Sequence, residues 1–448
     1  MFACIHFTAA SRSAPCAQWR CWTRHLFIAT SLFLAVSGAS AEATLSLAEA
    51  LALAQSRSSL LTSVDYAAQA AREMAVAAAQ LPDPVATLGV NNLPVNGQDA
   101  FSLTRDFMTM TSIGVMQEFT GEEKRQARAE RFQREAAKSV AERAAGVSAI
   151  QRDTASAWLD RYYAEAMLAV VSEQSRQARV EVDAAEGGYR AGRGNLADIL
   201  AARSALVMLD DSASAIGRKV RAARIVLARW IGDRADAPLA VRPTIDAVAL
   251  DPRTLDADLV HHPQIAVLTM QEAVAAADVR AAQANKKPDW SVQLMYSQRG
   301  SAYSNMISLN VSVPLPWDQG NRQDREVAAK LALLDQARAE REDKVRAHAA
   351  EVRAMIAEWE NDRERHARYE RELLPLATQR TEATLAAYRG AKASLIDVLL
   401  ARRSEIDVRM QALQLELETA RLWAQLNFLS PDGETTPSMR VTRAKDPR

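Results

Sequence analysis

Two aspartates occupy the same position of a motif that occurs twice in the chain. The first copy covers Tyr189–Leu200 and the second covers Tyr388–Leu399, and the two copies align with each other without insertions or deletions. The aspartates are Asp198 and Asp397. Carboxylates gathered at one narrow place attract cations and repel anions. Asp is also favoured in the first turn of a helix, so both side chains could simply cap the helices that follow. The sequence leaves these two roles open.

Basic residues accompany both copies of the motif. Arg193 and Lys392 lie inside the copies, and an Ala-Arg pair follows each copy and contributes Arg203 and Arg402. The two later arginines could pair with the motif carboxylates or lie on an exposed surface. Solvated ion pairs contribute little stability, so the sequence does not show whether these arginines pair with the carboxylates or lie on the surface.

The histidines do not form a recognisable metal motif. His261 and His262 directly precede Pro263, which is favoured in the first turn of a helix and so indicates a helix start. His348 and His366 would share a helix face but lie about 27 Å apart at about 1.5 Å per residue, too far to share one ion. The sequence also contains no phosphate-binding Gly-rich loop and no nucleophile elbow. We therefore expect no metal, no cofactor and no enzymatic activity, and a zinc- or copper-dependent enzyme is disfavoured.

The composition favours long helices and gives no reason to expect a nucleic-acid partner. The chain has 55 Lys and Arg against 55 Asp and Glu, and 25% of its residues are charged while 48% are hydrophobic. Nucleic-acid binding usually requires a basic excess or a basic patch, and neither is visible here.

The first 41 residues have the pattern of a secretory signal peptide. Arg20 and Arg24 precede the apolar run Leu26–Val36, and small residues lead to Ala41, a plausible cleavage site. All three cysteines fall within this segment, so the mature chain is expected to contain no disulfide and no thiolate site.

The mature chain reads as two repeats of helix, strand, strand, helix and helix. We assign the first repeat to 42–231, an inter-repeat segment to 232–260, the second repeat to 261–428 and a disordered tail to 429–448. The predicted elements of the first repeat are a helix at Leu45–Gln80, strands at Val85–Val90 and Phe107–Phe119, and helices at 121–186 and Leu196–Trp230. Those of the second are a helix at Pro263–Lys287, strands at Trp290–Tyr296 and Ile307–Val313, a long helix at Arg322–Ala387 that Pro375 should bend, and a helix ending near Phe428.

The second pair of strands alternates strictly between apolar and polar residues. Four such strands cannot form a soluble domain beside so many helical residues, whereas in a membrane the apolar side would face lipid. A barrel must close to satisfy its backbone in lipid, and four strands are too few, so several chains would have to assemble. The residues predicted to face lipid are Trp290, Val292, Leu294, Tyr296, Ile307, Leu309, Val311 and Val313.

With these features together, the chain resembles the TolC-type outer-membrane efflux proteins. Leu45–Ala54 is similar to the family's opening helix, and Val311–Trp317, followed by Gly320 and Arg322, is similar to its strand-to-helix corner. The resemblance implies a mainly α fold with a small β part. In that fold a homotrimer builds a twelve-stranded barrel in the outer membrane, with four strands per chain, and a long α-helical barrel across the periplasm.

The resemblance also implies a function. Such proteins are passive exit ducts for an inner-membrane RND pump, joined to it through a periplasmic adaptor. The short loops and the corner at Ser308–Trp317 look most like the heavy-metal (cation-efflux) branch. Both motif turns would then lie at the periplasmic gate. The residues implied at the gate are Tyr189, Tyr388, Asp198 and Asp397, and those implied as gate or adaptor contacts are Arg193, Arg203, Lys392 and Arg402. Leu400 and Ala393 replace an acidic and a basic residue of some family members, so the usual latch is not expected.

Two other readings remain open. One is the outer-membrane duct of a type I protein secretion system, which would use the same fold. The other is a periplasmic coiled-coil scaffold without a pore, which would not need the strand alternation.

Overall fold

The computed structural model describes residues 44–192, 194–248, 250 and 262–430. The predicted signal peptide, Arg193, most of 249–261 and the tail from residue 431 lie outside the described residues. Eight α-helices and four strands are described. The first half contains α1 (Leu47–Ser56), α2 (Ser59–Ala78), β1 (Val85–Asn91), β2 (Met110–Phe119), α3 (Glu122–Arg190) and α4 (Leu196–Ile231); the second contains α5 (Pro263–Ala284), β3 (Trp290–Gln298), β4 (Met306–Ser312), α6 (Gln323–Arg368), α7 (Leu374–Arg389) and α8 (Leu395–Asn427).

The fold is mainly α with a small sheet, as the sequence predicts, and each half contributes two consecutive strands flanked by helices. The longest element is α3, with 69 residues and no proline. Glu122 and Glu123 lie in its first turn, where their charge is favourable. At about 1.5 Å per residue α3 extends roughly 100 Å. None of the described helices is long and apolar enough to cross a membrane.

The predicted helix at Leu45–Gln80 is wrong in one respect, because two helices lie there. Ser58 begins a new helix, and its side chain accepts a hydrogen bond from the Leu61 N–H. Leu45 is instead extended and pairs with Leu239, whose segment follows α4. The indole N–H of Trp158 donates to the Leu45 carbonyl at 3.2 Å, which ties the start of the described chain to α3.

The predicted helix at Arg322–Ala387 is also divided. A π-helical turn at Tyr369–Leu373 separates α6 from α7, and Pro375 follows in the first turn of α7. Pro375 has no N–H to donate to the carbonyl four residues earlier, so the regular α pattern cannot run through it. The corresponding part of α3 in the first half is continuous.

The four strands form one antiparallel sheet in the order β1-β2-β3-β4. β2 pairs with β3, so the strands of the two halves join in the middle of the sheet. Within the described residues β1 and β4 are its edges. β2 begins at Met110 rather than at the predicted Phe107, because the Asp106 carboxylate accepts the N–H groups of Met108 and Thr109 and holds them in a turn.

The main hydrophobic core lies among the helices, away from the sheet. Trp158, Leu159 and Tyr163 of α3 are fully buried there, together with Val352 of α6 and Ala420 of α8. A second, smaller core packs Val182 and Ala185 of α3 against Ile199 and Ala202 of α4 and Leu395 of α8. This second core fixes the positions of both motif turns.

Candidate functional site

The two motif turns have nearly the same backbone. α3 ends before Gly192, and α7 ends before Ala391, and both of these residues have a positive φ, +71° and +57°. Glycine adopts this left-handed conformation without strain, whereas alanine does so at a cost of about 1 kcal/mol. The second turn therefore places an alanine where the first has the better-suited glycine.

Both motif aspartates cap the helix that follows. Asp198 and Asn195 form a capping box at the start of α4, with the Asp198 N–H donating to Asn195 Oδ1 at 2.9 Å. Asp397 and Ser394 form the same box at the start of α8, where Asp397 Oδ2 accepts from the Ser394 N–H at 2.9 Å and from its hydroxyl at 2.7 Å. The capping role is thus present at both sites. It uses the Oδ2 atom of each carboxylate and leaves Oδ1 without a capping partner.

The two aspartates differ in exposure. Asp397 is exposed and Asp198 is partly buried. The hydrogen bonds from Ser394 hold the pKa of Asp397 below its usual range, because they favour the ionised carboxylate. An exposed, firmly ionised carboxylate at a turn can act on passing ions while it also caps a helix.

The two tyrosines of the motif are placed differently. Tyr388 is partly buried against the small core that includes Leu395 and Ile199. Tyr189 is 49% exposed. Only the second copy therefore uses its tyrosine to pack the turn against its neighbours.

Neither later arginine pairs with a motif aspartate. Arg203 of α4 donates to Glu186 of α3 at 2.6 Å, within its own helical hairpin. Arg402 of α8 instead crosses to the other half of the chain, where it forms an ion pair with Glu181 and a hydrogen bond with Gln177, both on α3. The same motif position thus makes a local contact in one half and a contact between hairpins in the other.

The Arg402 pair is the better shielded of the two. The Arg402 and Glu181 side chains are 21% and 13% exposed, against 60% and 32% for Arg203 and Glu186. Burial raises the pKa of Glu181, and the Arg402 charge opposes that rise. The Lys392 side chain is exposed, and its backbone N–H donates to the Ala387 carbonyl. Arg193 lies outside the described residues.

The sheet has one apolar and one polar side. The register places Tyr296 opposite Ile113 and Ile307, and Leu294 opposite Val115 and Leu309, so these side chains share one side of the sheet. Most of that side is open to its surroundings, with Leu309 67% and Ile307 75% exposed. Seven of the eight residues predicted to face lipid lie on this side of the sheet, and Val292 among them is only partly exposed. The eighth, Val313, lies beyond the end of β4.

Polar side chains form a hydrogen-bonded row on the opposite side. The hydroxyls of Ser112 and Ser297 are 2.9 Å apart, and the amide of Asn91 donates to Ser112 Oγ at 2.8 Å. Ser112 and Ser297 are each 4% exposed. At the end of the sheet near the helices, the rings of Phe119 and Trp290 stack at 4.4 Å on the apolar side.

One pair of histidines was missed by sequence reasoning. His262, directly before α5, lies against His348 of α6 with their ring centroids 4.6 Å apart. Sequence spacing directed attention to His261 with His262 and to His348 with His366. The observed contact depends on how α5 packs on α6, which spacing along the chain does not show. Within the part of the chain that the structure describes, no group of three or more His, Cys, Asp or Glu side chains is placed to hold a metal ion.

Comparisons with known proteins agree with the fold. Residues 254–430 match the family model described as outer membrane efflux protein. No curated protein matches the chain. The predicted resemblance to the TolC-type outer-membrane efflux proteins is confirmed by the family match and by the solved structures described next.

Three solved structures illustrate the likeness. The outer membrane protein VceC of Vibrio cholerae is 18% identical, with a TM-score of 0.70 over 86% of this chain and 95% of its own. The CmeC outer membrane channel of Campylobacter jejuni is 12% identical, with a TM-score of 0.73 over 86% and 85%. The open MtrE outer membrane channel of Neisseria gonorrhoeae is 16% identical, with a TM-score of 0.68 over 86% and 88%. The TM-scores establish a common fold, and at identities this low the likeness extends to the fold alone.

Proposed function

Since the second half matches the outer membrane efflux protein family and the described chain has the TolC-type fold, we propose that this protein is the outer-membrane exit channel of a tripartite efflux system. It lies in the outer membrane and extends its helices into the periplasm. It conducts solutes passively, while an inner-membrane RND pump and a periplasmic adaptor supply the energy and the opening. The observation that carries this proposal is the sheet, with its exposed apolar side and its polar opposite side.

The apolar side of the sheet supports contact with lipid. Side chains such as Leu294, Ile307 and Leu309 are exposed in the single chain, and a row of this kind in water would be an aggregation hazard. In a bilayer the same row is favourable, and the polar side of the sheet would face the interior of the barrel. The Phe119–Trp290 stack suits the interface between lipid and water, where aromatic residues are enriched.

The edges of the sheet support a homotrimer. β1 and β4 each have one side without a partner strand among the described residues. In lipid those backbone groups must be satisfied, and a neighbouring copy can do so by pairing its β4 with this β1. Three chains would supply about twelve strands, enough for a closed barrel with a lumen.

The exposure of Asp397 supports a gate at the motif turns. Three copies of this turn around one axis would bring three ionised carboxylates to the narrow end of the helical barrel, where they would favour cations. Asp198 is less exposed and is expected to contribute less. Tyr388 helps to hold the turn of Asp397 in place through its contact with the small core.

The basic residues near the turns divide into two groups. Lys392 and Arg203 are exposed and are suited to contact an adaptor. Arg402 is engaged with Glu181 inside the chain, which suits a role in holding the two hairpins together. We propose that Lys392 and Arg203 contact the adaptor, and that Arg402 stabilises the contact between the two helical hairpins near the gate.

Heavy-metal cations are the cargo class that we favour. The exposed, ionised Asp397 supports conduction of cations, and the strand-to-helix corner resembles the cation-efflux branch. A wide lumen selects only weakly, so the pump is expected to choose the cargo. A deletion strain that became sensitive to drugs and not to metals would contradict this choice of cargo.

The test of the channel itself uses the purified mature protein in detergent. We expect a mass of three chains and stepwise ion conductance after addition to a planar bilayer. A monomer that remains in solution without detergent and gives no conductance would refute the channel. A trimer without conductance would support the scaffold instead.

A further inference from the structure

The contact between His262 and His348 has the features of a metal site and lies far from both motif turns. His262 precedes the first turn of α5, and His348 lies in the middle of α6. The two residues are 5% and 9% exposed, so both are buried. Buried imidazoles normally have hydrogen-bond partners, because an unpaired buried polar atom costs about 1–3 kcal/mol.

Here at least two of the four ring nitrogens have no such partner. Among the described side chains, none forms a hydrogen bond with Nδ1 or Nε2 of His262 or with Nε2 of His348. The backbone of Leu429 approaches one nitrogen of His262, which leaves the other nitrogen of that ring without a partner. The capping position does not explain His262 either, because its side chain makes no capping bond. Protein contacts therefore leave at least one nitrogen of each ring unsatisfied.

The fourth nitrogen faces a carboxylate. His348 Nδ1 lies 3.7 Å from Oε2 of Glu351, three residues further along the same face of α6. A histidine that ligates a metal usually directs its other ring nitrogen to a carboxylate, which fixes the tautomer and the ring orientation. The distance is longer than a hydrogen bond, but it places a carboxylate on the Nδ1 side of the ring and leaves Nε2 as the nitrogen without a partner.

The rings are close enough to share one ion. Two nitrogens on a common Zn²⁺ lie at most about 4.2 Å apart, twice the usual bond length of about 2.1 Å. The ring centroids are 4.6 Å apart, a separation at which one nitrogen of each ring can lie within that limit. Arg152 of α3 lies near His262, and its charge is paired with Asp153 at 3.2 Å.

We propose that His262 and His348 bind one transition-metal cation of the Zn²⁺, Ni²⁺ or Cu²⁺ class, with Glu351 orienting His348 and water completing the coordination. Imidazole nitrogen suits these ions, and Cu²⁺ is expected to bind most tightly. The ion would join the start of α5 to the middle of α6 and satisfy buried nitrogens that the protein leaves unpaired. This site does not depend on the proposed channel function.

The experiment measures Zn²⁺ binding to the purified mature protein in detergent, without an affinity tag, by equilibrium dialysis with elemental analysis. We expect one tight Zn²⁺ per chain in the unaltered protein. His262→Gln and His348→Gln should each weaken binding at least about 10-fold, since each removes a ligand. His366→Gln is the matched control, because His366 lies on the same helix about 27 Å away, and it should bind as the unaltered protein does.

A second measurement keeps the test decisive if the variants fail to fold. Cu²⁺ bound to the unaltered protein should give an electron paramagnetic resonance spectrum with coupling to two imidazole nitrogens. No saturable binding, equal binding by all three variants, or a Cu²⁺ spectrum without nitrogen coupling would each overturn the proposal.

Discussion

The two arginines that follow the motif copies allow a matched test of how the hairpins are held together. Arg402→Ala would leave the Glu181 carboxylate, which is 13% exposed, without its cation. Removing one partner of a fully buried ion pair costs about 3–5 kcal/mol. Because the Arg402 side chain is 21% exposed, we expect a smaller loss of about 2 kcal/mol, with water replacing part of the interaction. The loss should be local to the contact between α8 and α3.

Arg203→Ala is the control at the equivalent position of the first half. Arg203 is 60% exposed and its partner Glu186 is 32% exposed. An exposed pair of this kind contributes about 0–1 kcal/mol. The two variants remove the same side chain from the same motif position, so the difference between them measures the contact between hairpins.

Hydrogen–deuterium exchange of backbone amides reports the effect directly, because it measures the free energy of local opening. At about 1.4 kcal/mol for each factor of ten, Arg402→Ala should speed exchange in the first three turns of α8 roughly 30-fold. Arg203→Ala should speed exchange at the start of α4 less than about 5-fold. Equal acceleration by the two variants, or none from Arg402→Ala, would refute the reasoning.

The remaining predictions concern the sheet and the motif turns. Leu309→Lys should reduce the yield of membrane-inserted trimer strongly, since a lysine facing lipid costs about 2–4 kcal/mol; Asn310→Lys, next to it on the opposite side, should insert normally, and equal yields would contradict the assignment of sides. Asp397→Ala should lower the cation preference of the conductance more than Asp198→Ala, and identical reversal potentials for the two variants would leave both residues as helix caps only. Because hydrogen bonds hold the pKa of Asp397 below its usual range, its carboxylate stays ionised as the pH falls from 7 to 5, and the cation preference should persist over that interval; a preference lost by pH 5 would contradict this. Ala391→Gly should raise the free energy of unfolding by about 1 kcal/mol, since glycine adopts the φ of +57° without strain, and an unchanged or lower unfolding midpoint would oppose it.

The types of the elements could be predicted from local patterns. Prolines, glycines and strict alternation are local properties, and they placed the strands and the long helices to within a few residues. The errors have local chemical causes that compete with periodicity. Ser58 caps the start of α2 and so separates it from α1. The Asp106 side chain holds a turn that moves the start of β2 to a later residue, and the π-helical turn before Pro375 divides the long helix of the second half.

The partners of charged and polar side chains could not be predicted in the same way. Arg402 pairs with Glu181 and His262 with His348 through contacts between distant segments, and sequence spacing carries no information about them. The capping role of Asp397 was one of two readings that the sequence left open, because Asp at a helix start is a local signature. Its place relative to a pore depends on neighbouring copies and stays a prediction.

The open edges of the sheet have a consequence for cells that make two forms of this protein. If three chains close one ring, a single subunit with a damaged β1 or β4 leaves a neighbouring edge strand unpaired, and the whole ring fails to close. In an equal mixture of sound and damaged subunits that assemble at random, only about one ring in eight would contain three sound chains. A defective allele would therefore act dominantly, and its severity would grow with its share of the transcripts.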